Sequence, residues 1–439
     1  MQESDLPTYV VVGGGAGGLE LVTRLGESLG RKGLARIVLI DRLSIHIWKP
    51  HLHEVAAGSL DVGLHRLEYL AQARWHGFEF QLGQLLSLDR AAKTVTIGAV
   101  LDSDGQPMLP ERILRYDRLI LAIGSQVNTF NIPGALDHAI GLDTVHEAER
   151  FHQKLLAACM RAETRAGEGN PVQVNIAIIG AGATGVELAA ELRTTSRVMA
   201  AYGLHRMDPK RDVRITVIEG AERILPGLSP RISASVTTLL GRMGIDVRVS
   251  ERVTEVRTDG ISTASGLQVQ ADLVVWAAGL KAPDLLATLD GLETNRINQL
   301  VVSTNLCTTR DENIYALGDC AQCEWLGHKG FIPPRAQSAH QQASYLVRLF
   351  ANERRGRSTA PFRYRDFGSL VSLGQKSAVG NLMGGLIGGS LFIDGLIAGI
   401  MYKSLYQMHQ LALHGYIKTT LDFIATQLRK ATTPHIKLH

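Results

Sequence analysis

The sequence is poor in cysteine and carries little net charge, and each deficit excludes a class of protein. Only four cysteines occur in 439 residues, at positions 159, 307, 320 and 323, too few and too unevenly spaced for a disulfide framework. The 46 basic and 42 acidic side chains nearly balance, so no strongly basic face is available for nucleic acid. The first residues, MQESDLP, lack the basic and apolar regions of an export signal. We therefore predict a cytoplasmic protein that does not bind nucleic acid.

Glycine, by contrast, is abundant, and some of it belongs to a repeated motif. The repeat consists of an apolar run, glycines spaced G-x-G-x-x-G, a helical stretch, a second apolar run and a final acid. The first copy has apolar runs at 9–12 and 37–40 with Gly13, Gly15, Gly18 and Asp41, and the second has runs at 175–179 and 213–218 with Gly180, Gly182, Gly185 and Glu219. This pattern predicts two α/β units, each with a parallel sheet and crossover helices.

Each glycine motif lies where a dinucleotide site requires it. The glycines let the backbone approach a pyrophosphate, and the following helix presents unpaired N–H groups and the positive end of its dipole. The acid at the end of the next strand accepts hydrogen bonds from ribose hydroxyls. A single glycine turn is weak evidence, but both copies show the complete order of strand, turn, helix, strand and acid. The sequence therefore predicts two Rossmann-like units that bind two dinucleotides.

The acid of the second unit also predicts which nicotinamide cofactor binds there. A 2′-phosphate a few ångströms from the Glu219 carboxylate costs ~4 kcal/mol at an effective dielectric constant of about 20. Arg214 and Arg223 are close in sequence and could offset part of that cost. We expect NADH rather than NADPH at this site.

Further strand patterns predict how the chain is divided. Apolar runs that end at glycine occupy 116–124 and 271–279, a run at 314–319 ends at Gly318 and Asp319, and alternation over 78–97 predicts a small antiparallel insertion. The segment 351–361, rich in arginine and short polar residues, marks a boundary. The expected domains are a discontinuous first nucleotide domain at 1–135 and 290–355, a second at 136–289, and a C-terminal region at 356–439.

A chain with two such units and the later Gly318 and Asp319 resembles the two-dinucleotide flavoproteins. The resemblance implies that FAD occupies the first unit, that a nicotinamide occupies the second, and that Gly318 and Asp319 approach the flavin. A role for Asp319 as a helix cap is compatible with this position. Disulfide reductases of this superfamily carry a redox cysteine pair soon after the first acid, but residues 42–50 contain no cysteine. Disulfide reduction is therefore disfavoured.

The cysteines that do occur leave alternatives open. Cys159 falls in a predicted helix and Cys307 stands alone, so neither is well placed for sulfide oxidation at a flavin. Cys320 and Cys323 form a C-x-x-C, which suits two reduced structural cysteines, a redox couple or half of a metal site. The sequence shows no second pair of metal ligands, which favours the structural alternative, and we expect no metal.

Longer motifs resemble the type II NADH:quinone oxidoreductases, single-subunit enzymes that pump no protons. These motifs are WKP at 48–50, HEVAAG at 53–58 and PPRAQSAHQQ at 333–342. The end of the chain, with HQLALHGY at 409–416 and the final Leu438 and His439, resembles the enterobacterial branch of this family. The resemblance covers nearly the whole chain. It implies a membrane-surface enzyme that transfers two electrons from NADH through FAD to a membrane quinone.

The resemblance also implies roles for individual residues at the two cofactors. Lys49, Gly124 and Ala336 join the flavin contacts, and Glu187 and Gly279 join the NADH contacts. The assignment of Lys49 to the flavin rests on the WKP motif alone, and a lysine side chain in solvent is the alternative at that position.

The same resemblance assigns residues to the quinone. Gln337 and Gln341, with His340 between them, match the quinone-site motif of the family. Residues three and four apart lie on one helix face, so we expect hydrogen-bond donors from all three side chains to converge on a quinone carbonyl. A polar helix face in water is the alternative.

Glu187 and Glu191 are four residues apart on the predicted helix that Gly185 opens. If their shared face is buried, the like charges raise the pKa of at least one carboxyl group, which then holds a proton. Quinone reduction consumes two protons, so such a group has a use. In the family the residue matching Glu191 lies near the quinone and the one matching Glu187 near the nicotinamide. Two solvated carboxylates are the alternative.

The C-terminal region contains an apolar segment at 382–401 with a single charge, Asp394. Its six glycines and the turn patterns at 384–385, 388–389 and 394–395 favour a hairpin over the flavin domain rather than a membrane span. From about residue 399, apolar residues recur at helical spacing, at Leu405, Met408, Leu411, Ala412, Tyr416, Thr419 and Phe423, with basic residues at 403, 418, 429 and 430. Amphipathic helices of this kind suit an anionic lipid surface, and a helix packed on the protein or a homodimer face is the alternative.

Together these observations predict an α/β flavoenzyme, monotopic on the cytoplasmic face of the cell membrane, that oxidises NADH and reduces a membrane quinone. One alternative is a flavoprotein that reduces a different acceptor, such as a sulfide-derived or soluble one. A non-catalytic flavoprotein that senses NADH is the other. Steady turnover with quinone separates the three hypotheses.

Overall fold

The computed structural model describes residues 6–167, 173–201, 206, 208–373, 378–383 and 390–430. Contacts divide the chain into two units. Unit 1 contains Met1–Trp48, Arg66–Gln126 and Leu280–Arg365, and unit 2 contains Lys49–His65, Val127–Gly279 and Asp366–His439. Residues 49–65 and the C-terminal region therefore group with the second nucleotide fold, whereas the sequence suggested a boundary near residue 135 and a separate C-terminal part.

The elements of unit 1 and unit 2 alternate along the chain. The strands are β1 (Thr8–Val12), β2 (Arg36–Asp41), β3 (Ile45–His46), β4 (Leu67–Glu68), β5 (Glu79–Leu82), β6 (Leu85–Asp89), β7 (Thr94–Ile97), β8 (Val100–Leu101), β9 (Pro107–Leu109), β10 (Arg112–Arg115), β11 (Arg118–Leu121), β12 (Gln126–Val127), β13 (Ala139–Gly141), β14 (Val174–Ile179), β15 (Val213–Ile218), β16 (Ile245–Arg248), β17 (Val253–Arg257), β18 (Gly260–Thr263), β19 (Gln268–Gln270), β20 (Leu273–Trp276), β21 (Leu280–Lys281), β22 (Leu300–Val302), β23 (Ile314–Ala316), β24 (Ala321–Cys323), β25 (Ser369–Ser372), β26 (Ala378–Met383) and β27 (Ser390–Asp394). The α-helices are α1 (Ala16–Leu25), α2 (Leu52–Ala57), α3 (Val62–His65), α4 (Tyr69–His76), α5 (Ala135–His138), α6 (Val145–Gly167), α7 (Ala183–Ala201), α8 (Pro209–Asp212), α9 (Pro230–Arg242), α10 (Ala336–Glu353) and α11 (Gly395–Lys430).

Unit 1 is built on a parallel sheet with the order β23-β11-β1-β2-β5. The pairing places Val12 beside Ile40 and Leu121, so Gly13 and Asp41 follow neighbouring strands at the same edge of the sheet. The antiparallel insertion consists of β6, β7 and β10. The prediction of an antiparallel insertion over 78–97 was wrong for its first strand, because β5 pairs with β2 in the parallel sheet.

Unit 2 repeats this arrangement with the parallel order β13-β20-β14-β15-β16 and an antiparallel sheet of β17, β18 and β19. Ile179 lies beside Ile218 and Trp276, which brings Gly180 and Glu219 to one edge. Buried apolar side chains on one face of this sheet, including Ile179, Ile218 and Trp276, form a continuous core with residues of β17 and β18. The two units therefore confirm the repeat predicted from the sequence.

The C-terminal region begins with the antiparallel strands β25, β26 and β27. The pairing of β26 with β27 confirms a hairpin, whose turn glycines at 384–389 lie outside the described residues. Strand β25 packs on α7 and β26 on α9, both within unit 2, whereas the sequence predicted a hairpin over the domain assigned to flavin. The final residues of the family resemblance, Leu438 and His439, also lie outside the described part.

Helix α11 is interrupted at Gly415, whose φ of 71° and ψ of 176° lie outside the helical region. The interruption gives two consecutive helical segments. Among the described helices, none combines the length and the apolar character needed to cross a bilayer. After Gly415, Thr419 is buried, while Ile417, Leu421, Ile424 and Leu428 are 78%, 62%, 50% and 68% exposed. Of the predicted apolar positions, Met408, Tyr416 and Phe423 are also exposed, at 47%, 81% and 46%, whereas Thr419 is buried and the side chain of Leu405 is not described. The residues at 417, 421, 424 and 428, which the prediction did not include, form an exposed apolar stripe.

Candidate functional site

The first glycine loop has a separate structural reason for each of its three glycines. Gly13 follows β1 with a φ of +100°, and a Cβ there would overlap the Ala122 carbonyl oxygen. A Cβ at Gly18 would overlap the Gly13 carbonyl oxygen, so α1 can approach the turn only with glycine at this position. A Cβ at Gly15 would meet nothing within 4 Å, which leaves open space at the start of α1. The free N–H groups of a helix N-terminus facing open space suit a pyrophosphate.

The second loop is built in the same way. Gly180 has a φ of +99°, and a Cβ there would lie 2.7 Å from the Ala278 backbone. A Cβ at Gly185 would overlap the Gly180 carbonyl oxygen, and a Cβ at Gly182 would again meet nothing within 4 Å. Both loops therefore have a close-packed turn and an open position before a helix.

The two acids brace these loops through matching hydrogen bonds. Asp41 Oδ2 accepts from the Gly14 N–H at 2.6 Å and Oδ1 from the Leu43 N–H at 2.9 Å. Glu219 Oε2 accepts from the Ala181 N–H at 2.7 Å and Oε1 from the Ala221 N–H at 2.9 Å. A carboxylate has about four acceptor positions, so each acid retains capacity for ribose hydroxyls. The residues of both loops therefore fit a dinucleotide.

Burial acts on the first of these acids. It raises the pKa of Asp41, and the hydrogen bonds from Gly14 and Leu43 oppose that rise. A hydrogen bond between this buried acid and a ribose hydroxyl would satisfy the carboxyl group in either protonation state, so its burial is compatible with ribose binding.

Neither arginine near the second acid is aimed at a 2′-phosphate. The Arg223 guanidinium donates to the carbonyl oxygens of Leu225, Pro226 and Leu228, the last at 2.8 Å. Arg214 contacts the side-chain amide of Gln173. The expectation that these arginines could offset the charge of Glu219 finds no support in these contacts.

The carboxyl ends of two other unit 1 strands meet beside the first loop. Gly124, after β11, has a φ of +79° and open space at its Cβ position, and Gly318, after β23, has a φ of +74°. The Ser125 hydroxyl donates to Asp319 Oδ2 at 2.8 Å, and the Gln299 amide donates to the Asp319 carbonyl at 2.8 Å. The structure therefore joins Gly124 and Asp319, which are far apart in sequence, in one fixed group.

The residues predicted to bind quinone begin helix α10 but do not direct their donors to one point. His340 Nδ1 pairs with the buried carboxylate of Glu20 on α1. The Gln341 amide donates to the Arg365 carbonyl at 2.8 Å and accepts from the Arg365 N–H at 3.0 Å. The expected convergence of Gln337, His340 and Gln341 is therefore not observed, because α1 and the chain at residue 365 engage two of the three side chains.

The start of α10 has no side-chain cap. The helix begins at Ala336, and its N-cap residue is Arg335. The Gln342 side chain accepts from the Gly318 N–H at 2.7 Å, which fixes this helix to the strand end that carries Asp319. Ala336 and Gln337 thus stand at a helix N-terminus that is held close to the Gly318 turn.

Glu187 and Glu191 share a buried face of α7, as predicted, but each has its own surroundings. Glu187 Oε1 accepts from the Ser372 N–H at 3.0 Å, and Oε2 lies 3.6 Å from His53 Nδ1. Burial lowers the pKa of His53 to about 3, so that ring is neutral. Burial also raises the pKa of Glu191, helped by the nearby charge of Glu54 and opposed by a hydrogen bond from Ser59.

The remaining residues of unit 2 that the sequence analysis assigned to cofactors have clear structural roles. Lys49 Nζ pairs with Asp143 Oδ1 at 2.8 Å, and Asp143 Oδ2 accepts from the Val127 N–H at 2.5 Å. Gly279 follows β20 with a φ of +69°, and a Cβ there would lie 2.5 Å from the Phe130 ring. Glycine is therefore required at 279 both by its backbone angle and by the aromatic ring packed over it.

The four cysteines are free thiols. Cys320 and Cys323 are buried, and burial raises their pKa values to about 11 and about 12. Their thiols donate weakly to backbone carbonyls, Cys320 to Leu317 and Cys323 to Ser303. Thiols of this kind are neutral and poorly nucleophilic. Across the described residues, no group of three or more His, Cys, Asp or Glu side chains is arranged to bind a metal.

Sequence reasoning missed several residues that hold these sites. Glu20, a charged residue within the apolar helix α1, is fully buried and contacts Arg24, Ser344 and His340. Ser59 and Glu54 adjust the pKa of Glu191 from a segment more than a hundred residues earlier in the chain. Glu20 could have been found as an acid flanked by apolar residues, but the other pairings are visible only in the fold.

Comparisons with known proteins agree on one family. The model of the pyridine nucleotide-disulphide oxidoreductase family matches residues 7–343. A type II NADH:quinone oxidoreductase of Haemophilus influenzae is 41% identical over 99% of this chain and 100% of its own length. A Staphylococcus aureus protein of the same name is 28% identical over 88% of this chain and 92% of its own.

Solved structures show the same fold at lower identity. NDH2 from Plasmodium falciparum in complex with NADH has a TM-score of 0.79 and 20% identity, over 98% of this chain and all of that one. The sulfide:quinone oxidoreductase of Aquifex aeolicus has a TM-score of 0.72 and 18% identity, over 98% of this chain and 96% of that one.

Proposed function

Since this chain belongs to the type II NADH:quinone oxidoreductases, within the pyridine nucleotide-disulphide oxidoreductase family, we propose that it transfers two electrons from NADH through FAD to a membrane quinone. The observation that carries this proposal is the pair of glycine loops, each with its own bracing acid and its own open position before a helix. One chain with two dinucleotide sites suits a resident flavin and an exchanging nicotinamide. When bound, FAD supplies the step between a two-electron donor and a quinone.

The proposed flavin contacts lie in unit 1, apart from Lys49. Gly13, Gly15 and Gly18 present the backbone of the loop and the start of α1 to the pyrophosphate, while Asp41 accepts from a ribose. The group at the ends of β11 and β23 adds Gly124, Gly318 and Asp319, with Ala336 at the start of α10. Lys49 is the weakest of these assignments, since its ammonium group pairs with Asp143.

The proposed NADH contacts lie in unit 2. Gly180, Gly182 and Gly185 repeat the loop, and Glu219 accepts from the adenosine ribose. Gly279, at the end of β20, and Glu187, on α7, face the nicotinamide end of the site in this proposal. The Glu187 carboxylate is held between the Ser372 N–H and His53, and these contacts fix its direction.

The protonation state of the cysteine thiols favours quinone over a sulfur compound as the electron acceptor. Sulfide and disulfide chemistry requires a reactive thiolate beside the flavin, and the cysteine pKa values of about 11 to 12 leave almost no thiolate at neutral pH. We assign Gln337, His340 and Gln341 to the quinone side. Because Glu20 and Arg365 hold two of these side chains, quinone binding there exchanges a protein hydrogen bond for one to the quinone carbonyl.

Glu191 is the proposed proton-holding group. Its raised pKa keeps the carboxyl protonated to higher pH than an ordinary glutamate, so turnover is expected to fall as pH rises through that pKa. Glu191→Gln should lower the rate of quinone reduction by about tenfold to a hundredfold and remove this alkaline limb. Steady-state rates with a short-chain quinone between pH 5 and 9 measure both effects.

Ser59→Ala provides the matched control for this prediction. The Ser59 hydrogen bond lowers the pKa of Glu191, so its loss should move the alkaline limb to higher pH without removing it. A Glu191→Gln enzyme with full turnover and an unchanged pH profile would refute the proton role.

We also propose that the exposed stripe of α11 lies on the cytoplasmic face of an anionic membrane. Ile417, Leu421, Ile424 and Leu428 face away from the buried Thr419, and Lys418 is exposed beside them. Such a helix inserts its apolar side between lipid headgroups while basic residues attract anionic lipid. The location suits an enzyme whose quinone substrate has a long apolar tail.

Leu421→Asp is expected to weaken binding to phosphatidylglycerol vesicles by at least about tenfold, since burial of one leucine stabilises by about 1.5 to 3 kcal/mol. Thr420→Asp, an exposed neighbour off the stripe, adds the same charge and should weaken binding far less. Co-sedimentation with the vesicles measures both. Equal losses would indicate simple charge repulsion, and a concentration-dependent dimer with no vesicle binding would assign the stripe to a second copy.

An anaerobic experiment tests the proposed function as a whole. One equivalent of NADH is added to the purified protein while flavin absorbance is followed, and a short-chain quinone is then added. Rapid bleaching followed by rapid recovery is expected. Bleaching without recovery would retain the flavoenzyme and discard quinone as the acceptor, whereas a reduced protein that responds only by changing its partners would favour the sensor alternative.

A further inference from the structure

The carbonyl of Gly14, inside the first glycine loop, is held by two buried side chains. The Tyr69 hydroxyl donates to it at 2.7 Å, and His46 Nδ1 lies 2.9 Å from it. Because a carbonyl oxygen only accepts, His46 must carry its proton on Nδ1. Burial lowers the pKa of His46 to about 4, so the ring stays neutral at physiological pH. Both lone pairs of the Gly14 carbonyl oxygen thus accept hydrogen bonds, and the Gly14 N–H donates to Asp41.

This arrangement fixes the direction of the next N–H group. The Gly14 C=O and the Gly15 N–H belong to one trans peptide plane and point in opposite directions. Donors that hold the oxygen from the buried side therefore aim the Gly15 N–H away from Tyr69. At Gly15 itself the loop is uncovered, since a Cβ there would meet nothing within 4 Å.

The corresponding place in the second loop is built differently. It is filled by Ala181, whose carbonyl accepts from the backbone N–H of Leu225 at 2.8 Å. A Cβ at Gly14, by contrast, would overlap the Tyr69 hydroxyl and lie 2.5 Å from its ring carbon Cζ. Glycine at position 14 therefore belongs to a loop that the Tyr69 ring covers. Alanine at position 181 belongs to a loop without such a ring.

We propose that Tyr69 and His46 are positioning residues that lock the first glycine loop in its pyrophosphate-binding shape, so that this site retains its dinucleotide while the second site exchanges its own. The inference rests on the proposed assignment of FAD to unit 1. Its physical basis is preorganisation, because a loop already held in the bound shape loses little freedom when the ligand binds. The Tyr69 ring is itself fixed by packing against Phe80 at a centroid distance of 5.1 Å.

Tyr69→Phe tests the proposal in the holoenzyme. The substitution keeps the ring and removes one donor to the Gly14 carbonyl, so release of FAD should become about tenfold faster. The rise of free-flavin fluorescence after dilution measures the release rate. The KM for NADH should remain unchanged, because the second loop is untouched.

Tyr345→Phe is the matched control. Tyr345 is a buried tyrosine of the same unit, and its hydroxyl donates to Asn305 Oδ1 at 3.0 Å, away from the glycine loop. Loss of that bond should lower the thermal midpoint of unfolding about as much as Tyr69→Phe does, while FAD release stays at the wild-type rate. Equal release rates for the two variants would overturn the proposal and leave Tyr69 with a structural role only.

Gly14→Ala gives a second route to the same result. The added methyl group displaces the Tyr69 ring, so FAD release should accelerate although every donor remains in the chain. Wild-type release from this variant, in a folded protein, would also overturn the proposal. A wild-type protein that purifies without flavin and binds none would instead refute the assignment of FAD, which the two tyrosine variants do not address.

Discussion

NADPH is expected to reduce this enzyme about a thousandfold less efficiently than NADH. A 2′-phosphate about 4 Å from the Glu219 carboxylate costs ~4 kcal/mol at an effective dielectric constant of about 20, which corresponds to about three orders of magnitude. Glu219 cannot easily turn away, because its two oxygens accept from the Ala181 and Ala221 N–H groups. Arg223 cannot easily turn towards the phosphate, because three backbone carbonyls hold its guanidinium group. The ratio of kcat/KM for the two reductants measures the discrimination.

Glu219→Gln should reduce this discrimination by at least about tenfold, mainly through improved use of NADPH. The amide keeps one acceptor for the backbone and for ribose but removes the charge. Glu222→Gln, an exposed neighbour, changes the net charge equally and should leave the ratio unchanged. Equal rates with NADH and NADPH in the wild-type protein would contradict the assigned role of Glu219.

The structural features that the sequence predicted best are determined by residues close together in the chain. The apolar runs that predict β14 and β15 differ from the observed strands by at most one residue, because continuous burial on both faces of a sheet imposes an apolar run. Part of each glycine motif is predictable for the same reason, because a Cβ at Gly18 or Gly185 would overlap the carbonyl oxygen five residues earlier in the same turn. The repeat also predicted that each unit contains a parallel sheet, as the pairing of β1 with β2 and of β14 with β15 confirms.

The features that sequence could not predict depend on residues brought together from distant parts of the chain. Residues 79–82 show a strand pattern, but only the fold reveals that they pair with β2 and not with β6. Spacing placed His340 and Gln341 on one helix face, yet Glu20 and Arg365 determine where their donors point. In α11 the predicted residues Tyr416 and Phe423 are exposed, but Thr419 is buried, because packing determines which side of the helix is covered.

The two glycine loops allow the binding of a dinucleotide to be separated from the stability of the fold. Gly182→Ala is expected to raise the KM for NADH by about a hundredfold while leaving the thermal midpoint of unfolding unchanged. The methyl group would touch no protein atom within 4 Å, but it would enter the open space before α7 in which the proposed pyrophosphate lies. A hundredfold rise corresponds to about 2.7 kcal/mol, which is within the range of about 1.5 to 3 kcal/mol for the loss of one charge-assisted hydrogen bond.

Two further glycines of unit 2 show whether that interpretation is correct. Gly241→Ala, within helix α9, also adds a methyl group with no neighbour within 4 Å, and it should leave the KM for NADH unchanged and slightly stabilise the helix. Gly185→Ala would force a methyl group into the Gly180 carbonyl oxygen, so stability and NADH binding should fall together. If Gly182→Ala lowered stability as Gly185→Ala does, the open position would be part of the folded turn. A raised KM at full stability would mean that the space belongs to the ligand.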